Sequence, residues 1–324
     1  MKKIRIKFVD FWDKFDCENN FFVSILKEKY EVEFSEEPQY LFYSMFSKNF
    51  LKYNNCVRIF FTGENIIPDF NLCDYAMGFD WIIFGDRYLR TPLYLLSDGF
   101  QPASYMEMLQ EGMEKTKKPN EVLNKKTDFC SFVYSNGKAN PIREELFNIL
   151  SKYKKVNSGG RFLNNIGGAV DNKKNFETQH KFSIACENSS YPGYTTEKLL
   201  QAFAAHTIPI YWGDPEVGKV FNKKAFIDVN DYSSMNQLLN RIKELDNDNK
   251  KYIQVMKENM FLEDYKLEDE YQKINQFLFH IFDQPYENVY RRNLGMQGGY
   301  YERFFKRYAS IDMNLKKLKR IVKK

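Results

Sequence analysis

KFSIACENSSYPGYTTEKLLQAFAAHTIPIYWGDP, residues 181–215, reads as strand, loop, helix, strand and turn. Phe182, Ile184 and Cys186 alternate as in a strand. Residues 187–194 are a run of turn formers and aromatics. Thr195 or Thr196 can cap a helix that opens with Glu197-Lys198 and buries Leu199, Leu200, Phe203 and Ala204. Residues 207–212 form a second strand, which Gly213-Asp214-Pro215 stops. A βαβ unit of this kind carries a ligand at the carboxyl ends of its strands. A helix N-terminus behind a polar loop favours an anion such as a phosphate.

Working outward, residues 3–9 alternate, with Ile4, Ile6 and Phe8 on one face, and predict a first strand. A helix over 18–29 and strands over 30–34 and 40–45 follow. Residues 57–61 are an apolar strand interrupted by Arg58, running straight into Thr62-Gly63-Glu64-Asn65. Residues 73–79 form another strand. Alternating elements predict a mainly parallel sheet with helices on both faces. Residues 97–128 are polar and turn-rich and read as a connection between domains, with a short helix at 106–113. A second α/β set begins at 129–136 and continues with a helix over 142–153. The pairs Gly159-Gly160 and Gly167-Gly168 read as plain turns, because neither GxGxxG nor GxxxxGK[ST] is present. A strand over 225–229 and helices over 232–246 and 249–260 complete the set. The expected division is an amino-side α/β domain over 1–115, a carboxyl-side α/β domain over 116–285 and a basic helical tail over 286–324.

In that tail, Tyr301, Phe304, Phe305, Tyr308, Ile311, Leu315, Leu318 and Val322 fall at helical spacing, with Arg and Lys between them. Such a helix either docks on an anionic membrane surface or packs on its own protein with a solvated basic face.

A chain of 324 residues is long enough for two separate cores. The net charge of +5 comes mostly from the tail, so it marks a local patch. Basic residues elsewhere are balanced by acids, which argues against a nucleic-acid binder. The five cysteines are odd in number, dispersed and without CxxC spacing, so the chain is expected in a reducing compartment, the cytoplasm, without a zinc site. The isolated His180, His206 and His280 argue against a His-based metal centre. The basic start lacks an apolar run fit for a signal peptide, and no stretch is long and apolar enough to span a membrane.

Four places are candidates for chemistry. Glu64 ends an apolar strand beside Gly63, where an acid of an α/β protein can act as a general base. Arg143, just after Asn140-Pro141 at a helix start, has the donor fork that pairs with phosphate. Lys198 can meet a phosphate, and Glu197 can accept hydrogen bonds from sugar or ribose hydroxyls. Read singly, these residues also suit a surface Glu, an exposed helix Arg and an ordinary first helical turn. Asp246-Asn247-Asp248 spells the Asp-x-Asp that many sugar-nucleotide enzymes use for a metal, but it lies in the charged run KELDNDNKK and reads as a solvated turn.

Together these residues resemble the α1,3/4-fucosyltransferases, glycosyltransferase family 10, in particular the bacterial members. Three blocks carry the likeness: FFTGENIIPDFNLCDYAMGFD continued by DRYLRTPLY, then SFVYSNGKANPIR, then FSIACENSSYPGYTTEKLLQAF with HTIPIYWGDP. They span most of residues 57–230. The resemblance implies an α/β fold of two Rossmann-like domains facing across a cleft, the GT-B type. It implies that the carboxyl-side domain binds GDP-β-L-fucose and that the amino-side domain shapes the acceptor site. The implied reaction is an inverting displacement that moves L-fucose to a hydroxyl of an N-acetylglucosamine or glucose unit, giving a Lewis-antigen-like product. α1,4 linkage or another GDP-sugar on the same fold is the alternative. The family's proposed base falls on Glu64, its diphosphate-contacting Arg on Arg143, and its donor-binding Asn, Tyr, Glu and Lys on Asn188, Tyr194, Glu197 and Lys198. No cofactor or metal is implied as essential. The partners implied are GDP-fucose and an oligosaccharide acceptor, with peripheral membrane contact through 300–324 and no nucleic acid. Tyr191-Pro192-Gly193 departs from the family's Gly-rich turn at unchanged loop length. The heptad repeats common before the basic tail of bacterial relatives are not seen here.

Overall fold

The computed structural model describes residues 1–96 and 117–322, with side chains described through Ile311. The helix expected at 106–113, most of the connection at 97–128 and the expected boundary at 115/116 lie outside the described residues. The chain divides into two compact units, one built from 1–91 and 268–324 and the other from 92–267.

The first unit holds six parallel strands in the order β2-β1-β3-β4-β5-β6. They are β1 (Lys2–Val9), β2 (Tyr30–Phe34), β3 (Tyr40–Tyr43), β4 (Val57–Phe61), β5 (Tyr75–Gly78) and β6 (Tyr88–Arg90). Helix α1 (Phe21–Lys27) crosses from β1 to β2, and Asn20 caps it by accepting from the N–H groups of Phe22 and Val23. The central strands β3 and β4 are buried along their whole length and apolar except for Arg58, as strands covered on both faces tend to be.

The second unit holds five parallel strands in the order β11-β10-β9-β7-β8. They are β7 (Asp128–Phe132), β8 (Val156–Ser158), β9 (His180–Cys186), β10 (Ile208–Trp212) and β11 (Ile227–Asp228). Around them lie α2 (Pro119–Asn124), α3 (Ile142–Tyr153), α4 (Lys173–Thr178), α5 (Glu197–Ala204), α6 (Met235–Asn247) and α7 (Asn249–Lys257). Residues 181–215 form the expected βαβ unit: Phe182 pairs with Ile208 and Cys186 with Trp212 across parallel strands. Leu199, Leu200 and Phe203 of α5 are buried. Each contributes about 1.5–3 kcal/mol of apolar burial.

In both sheets the first strand lies between the second and the third, the doubly wound order in which ligands bind outside the carboxyl ends of the first and third strands. In the first unit that point lies between β1 and β3, in the second between β7 and β9.

The ends of the chain differ from the expected division. Helix α8 (Leu267–Asp283), which the strand-and-helix reading passed over, belongs with the first unit. Its Phe282 ring sits 4.2 Å from that of Tyr40 and stacks on Phe42. The helix α9 (Met296–Val322) is part of the same unit. Arg58, in the middle of β4 and fully buried, donates to Glu302 of α9 at 2.8 Å. Arg292 donates to Asp74 at 2.9 Å, with both side chains buried. Two buried guanidinium groups need carboxylates, so α9 turns Glu302 and Ala309 inward. Phe304, Tyr308 and Ile311 of its apolar stripe remain exposed.

Candidate active site

The site in the second unit is built on three consecutive residues at the end of β9. The carbonyl of Cys186 accepts from Arg143 Nη2 at 2.9 Å, and the Asn188 side-chain oxygen accepts from the same Nη2 at 3.0 Å. Arg143 is in the first turn of α3, which follows β7, so these bonds span the crossover point of the sheet. Its guanidinium lies 3.9 Å from the centre of the Tyr134 ring, and Nη1 donates to the Asn136 carbonyl. Only 2% of Arg143 is exposed, and its buried Nε–H has no hydrogen-bond partner among the described residues. An unspent donor on a fixed fork suits an arriving phosphate oxygen. The backbones join as well: Asn140 N–H donates to the Asn188 carbonyl at 3.0 Å.

Glu187, between those two contacts, turns the other way, toward the start of α5. It is fully buried and accepts from the Thr196 N–H at 2.7 Å, the Thr196 hydroxyl at 2.6 Å and Lys198 Nζ at 3.1 Å. Lys198 also donates to Thr196 Oγ1 at 2.8 Å and to Glu197 Oε1 at 3.3 Å. Burial raises the Glu187 carboxyl above its ordinary range against the pull of Lys198. Burial works in the same direction on Glu197, but Lys198 and Lys173 outweigh it and hold that carboxyl low. Burial opposes the charge on Lys198, yet Glu187 and Glu197 raise its pKa above the ordinary lysine value.

A second buried carboxylate holds the loop from the end of β10. Asp214 accepts from the Gly193 N–H at 2.8 Å and the Thr195 hydroxyl at 3.0 Å. Gly193 takes φ 82°, in the region glycine adopts without strain. The threonines therefore do not cap α5 through their own side chains as expected: both hydroxyls are committed to Glu187 and Asp214. Tyr194 is buried, with its N–H donating to the Tyr191 carbonyl.

The structure thus joins Arg143 to Asn188 and Glu197 to Lys198, with Glu187 linking the two pairs through the chain. Glu187 and Asp214 were missed by sequence reasoning. Their position directly after an apolar strand is the signal that singled out Glu64, and it was available for both.

Glu64 lies in the first unit, three residues past β4. Its N–H donates to Thr62 Oγ1 at 3.0 Å, and its carbonyl accepts from the Ile66 N–H at 2.7 Å. Thr62 is fully buried, so the turn is anchored while Glu64 stays half-buried. Around the same sheet edge, Trp12 follows β1 and Phe46 follows β3, with ring centres 6.1 Å apart. Arg90, at the end of β6, stacks 3.7 Å from the centre of the Trp81 ring.

Asp246 does not lie in a solvated turn. Its side chain is 1% exposed and meets Lys181 at 2.9 Å, Lys154 at 3.0 Å and the Tyr153 hydroxyl at 3.0 Å. The charged run hid this because only one of its carboxylates faces inward; Asp248 caps α7. No cluster of three metal-ligating side chains occurs among the described residues.

Two family models match the chain: the alpha-(1,3)-fucosyltransferase FucT N-terminal domain over residues 6–97, and the C-terminal domain of glycosyltransferase family 10 (fucosyltransferase) over 123–279. The chain is 36% identical over 272 residues to alpha-(1,3)-fucosyltransferase FucT of Helicobacter pylori, covering 75% of this chain and 57% of that protein. It is 30% identical over 191 residues to putative fucosyltransferase R654 of Acanthamoeba polyphaga mimivirus, covering 54% of this chain and 31% of that one. The chain therefore spans roughly a third to a little over half of the length of these curated relatives. A crystal structure of alpha1,3-fucosyltransferase with GDP-fucose superimposes with a TM-score of 0.70 at 30% identity, covering 86% of this chain and 91% of that one.

Proposed function

Because the chain belongs to glycosyltransferase family 10, the fucosyltransferases, we propose that it transfers L-fucose from GDP-β-L-fucose to an oligosaccharide, with inversion, forming an α1,3 linkage. The observation that carries this reading is the Arg143–Asn188 bond across the crossover point of the second sheet, beside Lys198 at the start of α5. That point is where a doubly wound sheet takes a nucleotide.

In this reading Asn188 and Tyr194 hold the donor in the loop, and Glu197 accepts from its hydroxyls. Arg143 and Lys198 meet the diphosphate and absorb the charge that develops as GDP leaves. The transition state carries oxocarbenium character, as in glycoside hydrolysis. The acceptor hydroxyl must lose its proton on the face away from the leaving group, and Glu64 takes it. Two cationic side chains at the leaving group make a metal unnecessary, so transfer should persist in EDTA.

The acceptor falls to the first unit. The Trp12–Phe46 pair, after the two strands flanking that sheet's crossover point, and the Arg90–Trp81 stack offer ring faces to an N-acetyllactosamine-type sugar. Exposed Phe304 and Tyr308 on α9, next to Arg303 and Arg307, support peripheral contact with an anionic membrane. No helix among the described residues is long and apolar enough to cross one.

A donor panel tests the reading. With N-acetyllactosamine as acceptor, GDP-fucose should be consumed and GDP-mannose left intact; transfer from GDP-mannose alone would move the chain to another sugar on the same fold.

A further inference from the structure

An ammonium has three N–H donors, and those of Lys198 have three acceptors inside the protein: Glu187 at 3.1 Å, Thr196 at 2.8 Å and Glu197 at 3.3 Å. A phosphate oxygen reaching Lys198 must therefore replace one of them. The two carboxylates are not equivalent. Glu187 is sealed in: it holds the Thr196 N–H and hydroxyl as well, and its own N–H donates to the Trp212 carbonyl at 2.8 Å. A Cβ on Gly213 would lie 2.4 Å from Glu187 Cγ, so the glycine makes room for this side chain. The Glu197 side chain is 26% exposed, and its bond to Lys198 is the longest of the three.

We infer that Glu187 is a positioning residue that keeps Lys198 aimed at the donor diphosphate, and that Glu197 is the partner Lys198 gives up when the diphosphate arrives. This rests on the donor reading above and adds an order of events to it. Released from Lys198, Glu197 has its carboxylate free for a donor hydroxyl at the moment the donor is present. Before that, the single charge of Lys198 offsets part of the repulsion that the two carboxylates would exert on the diphosphate. Lys173 faces Glu197 from α4, so the released carboxylate retains a cationic neighbour. Tyr211 and Arg143 lie on the other sides of Glu187, Arg143 through the Cys186 carbonyl. Neither is hydrogen-bonded to Lys198, so Glu187, with the Thr196 hydroxyl it holds, is the fixed link.

The test is calorimetry of the full chain with three probes: GDP, guanosine and inorganic pyrophosphate. Glu187→Gln keeps an acceptor for Thr196 but removes the charge that holds Lys198. It should weaken GDP and pyrophosphate about tenfold, the worth of one charge-assisted hydrogen bond, and leave guanosine within about twofold. In a Lys198→Met background the same change should no longer affect GDP, as the two act through one contact. Glu197→Gln, at a partly exposed position, removes the competitor and should tighten pyrophosphate. It keeps the inference testable if Glu187→Gln does not fold. Equal losses for GDP and guanosine in Glu187→Gln, an undiminished effect in the Lys198→Met background, or weaker pyrophosphate binding by Glu197→Gln would each overturn the inference. Wild-type chain that binds GDP beside an unaffected Glu187→Gln overturns it alone; wild-type chain that does not bind GDP overturns the donor reading with it.

Discussion

Arg143 Nη2 donates to the side-chain oxygen of Asn188 at 3.0 Å, joining the helix after β7 to the loop after β9. The bond orients both side chains at the one place on this sheet where neighbouring strands send their connections to opposite faces. The Arg143 fork is planar and already bound on one side, so it is preorganised for an anion on the other.

Replacing Arg143 by Lys keeps the charge but loses the fork and the stack on Tyr134. GDP affinity should fall about tenfold to a hundredfold, the range for hydrogen bonds to charged groups. Asn188→Ala should weaken GDP less, because it frees the fork without removing it. Equilibrium dialysis with GDP compares the two directly.

Glu64→Gln removes the carboxylate proposed as the base and leaves the Thr62-anchored turn intact. Transfer should drop by about 10²–10⁴-fold, the usual worth of general base catalysis, with GDP affinity unchanged. Steady-state kinetics beside GDP titration separates the two; a variant that transfers at the wild-type rate would remove Glu64 from the reaction.

Much of the fold was legible in the sequence. Alternating Phe182, Ile184 and Cys186, followed by a helix-spaced Leu199, Leu200 and Phe203, can form little else, and the βαβ unit came out as read. The first-unit strands were legible for the same reason. The donor-binding roles proposed for Arg143, Asn188, Tyr194, Glu197 and Lys198 rest on a family likeness, since pattern alone leaves Arg143 an exposed helix residue, whereas it is buried. What was not legible is set by tertiary partners. Arg58 looks like a defect in β4 until Glu302 arrives from α9, far along the chain. Glu187 reads as the first residue of a turn, and only the return of α5 to the end of β9 makes it an anchor. Helix α8 did carry a signal, with Ile274, Leu278, Ile281 and Phe282 on its buried face.

Asp246 gives a pH signature. Burial would raise its carboxyl, but Lys181 and Lys154 outweigh burial and hold it below the usual carboxylate range. A depressed carboxylate stabilises the fold above its unfolded pKa, and that stabilisation is lost as pH falls through the lower native value. Asp246→Asn should therefore cost about 2 kcal/mol at neutral pH, with the gap from wild type narrowing below about pH 4. Chemical denaturation across pH 3–7 measures it.

The outward face of α9 is tested with vesicles. Phe304→Asp combined with Tyr308→Asp should reduce sedimentation with phosphatidylglycerol vesicles and leave the melting temperature close to wild type, because Glu302 and Ala309 still hold the helix to its unit. Undiminished sedimentation would mean that this face is not what meets the lipid.

The central claim is tested most directly by incubating the chain with GDP-fucose and type 1 N-acetyllactosamine, type 2 N-acetyllactosamine or lactose, and assigning the product linkage by NMR. The account predicts a fucosylated type 2 product with an α1,3 linkage to N-acetylglucosamine, formed equally well in EDTA. An intact acceptor in every arm, with GDP-fucose unconsumed, would contradict it.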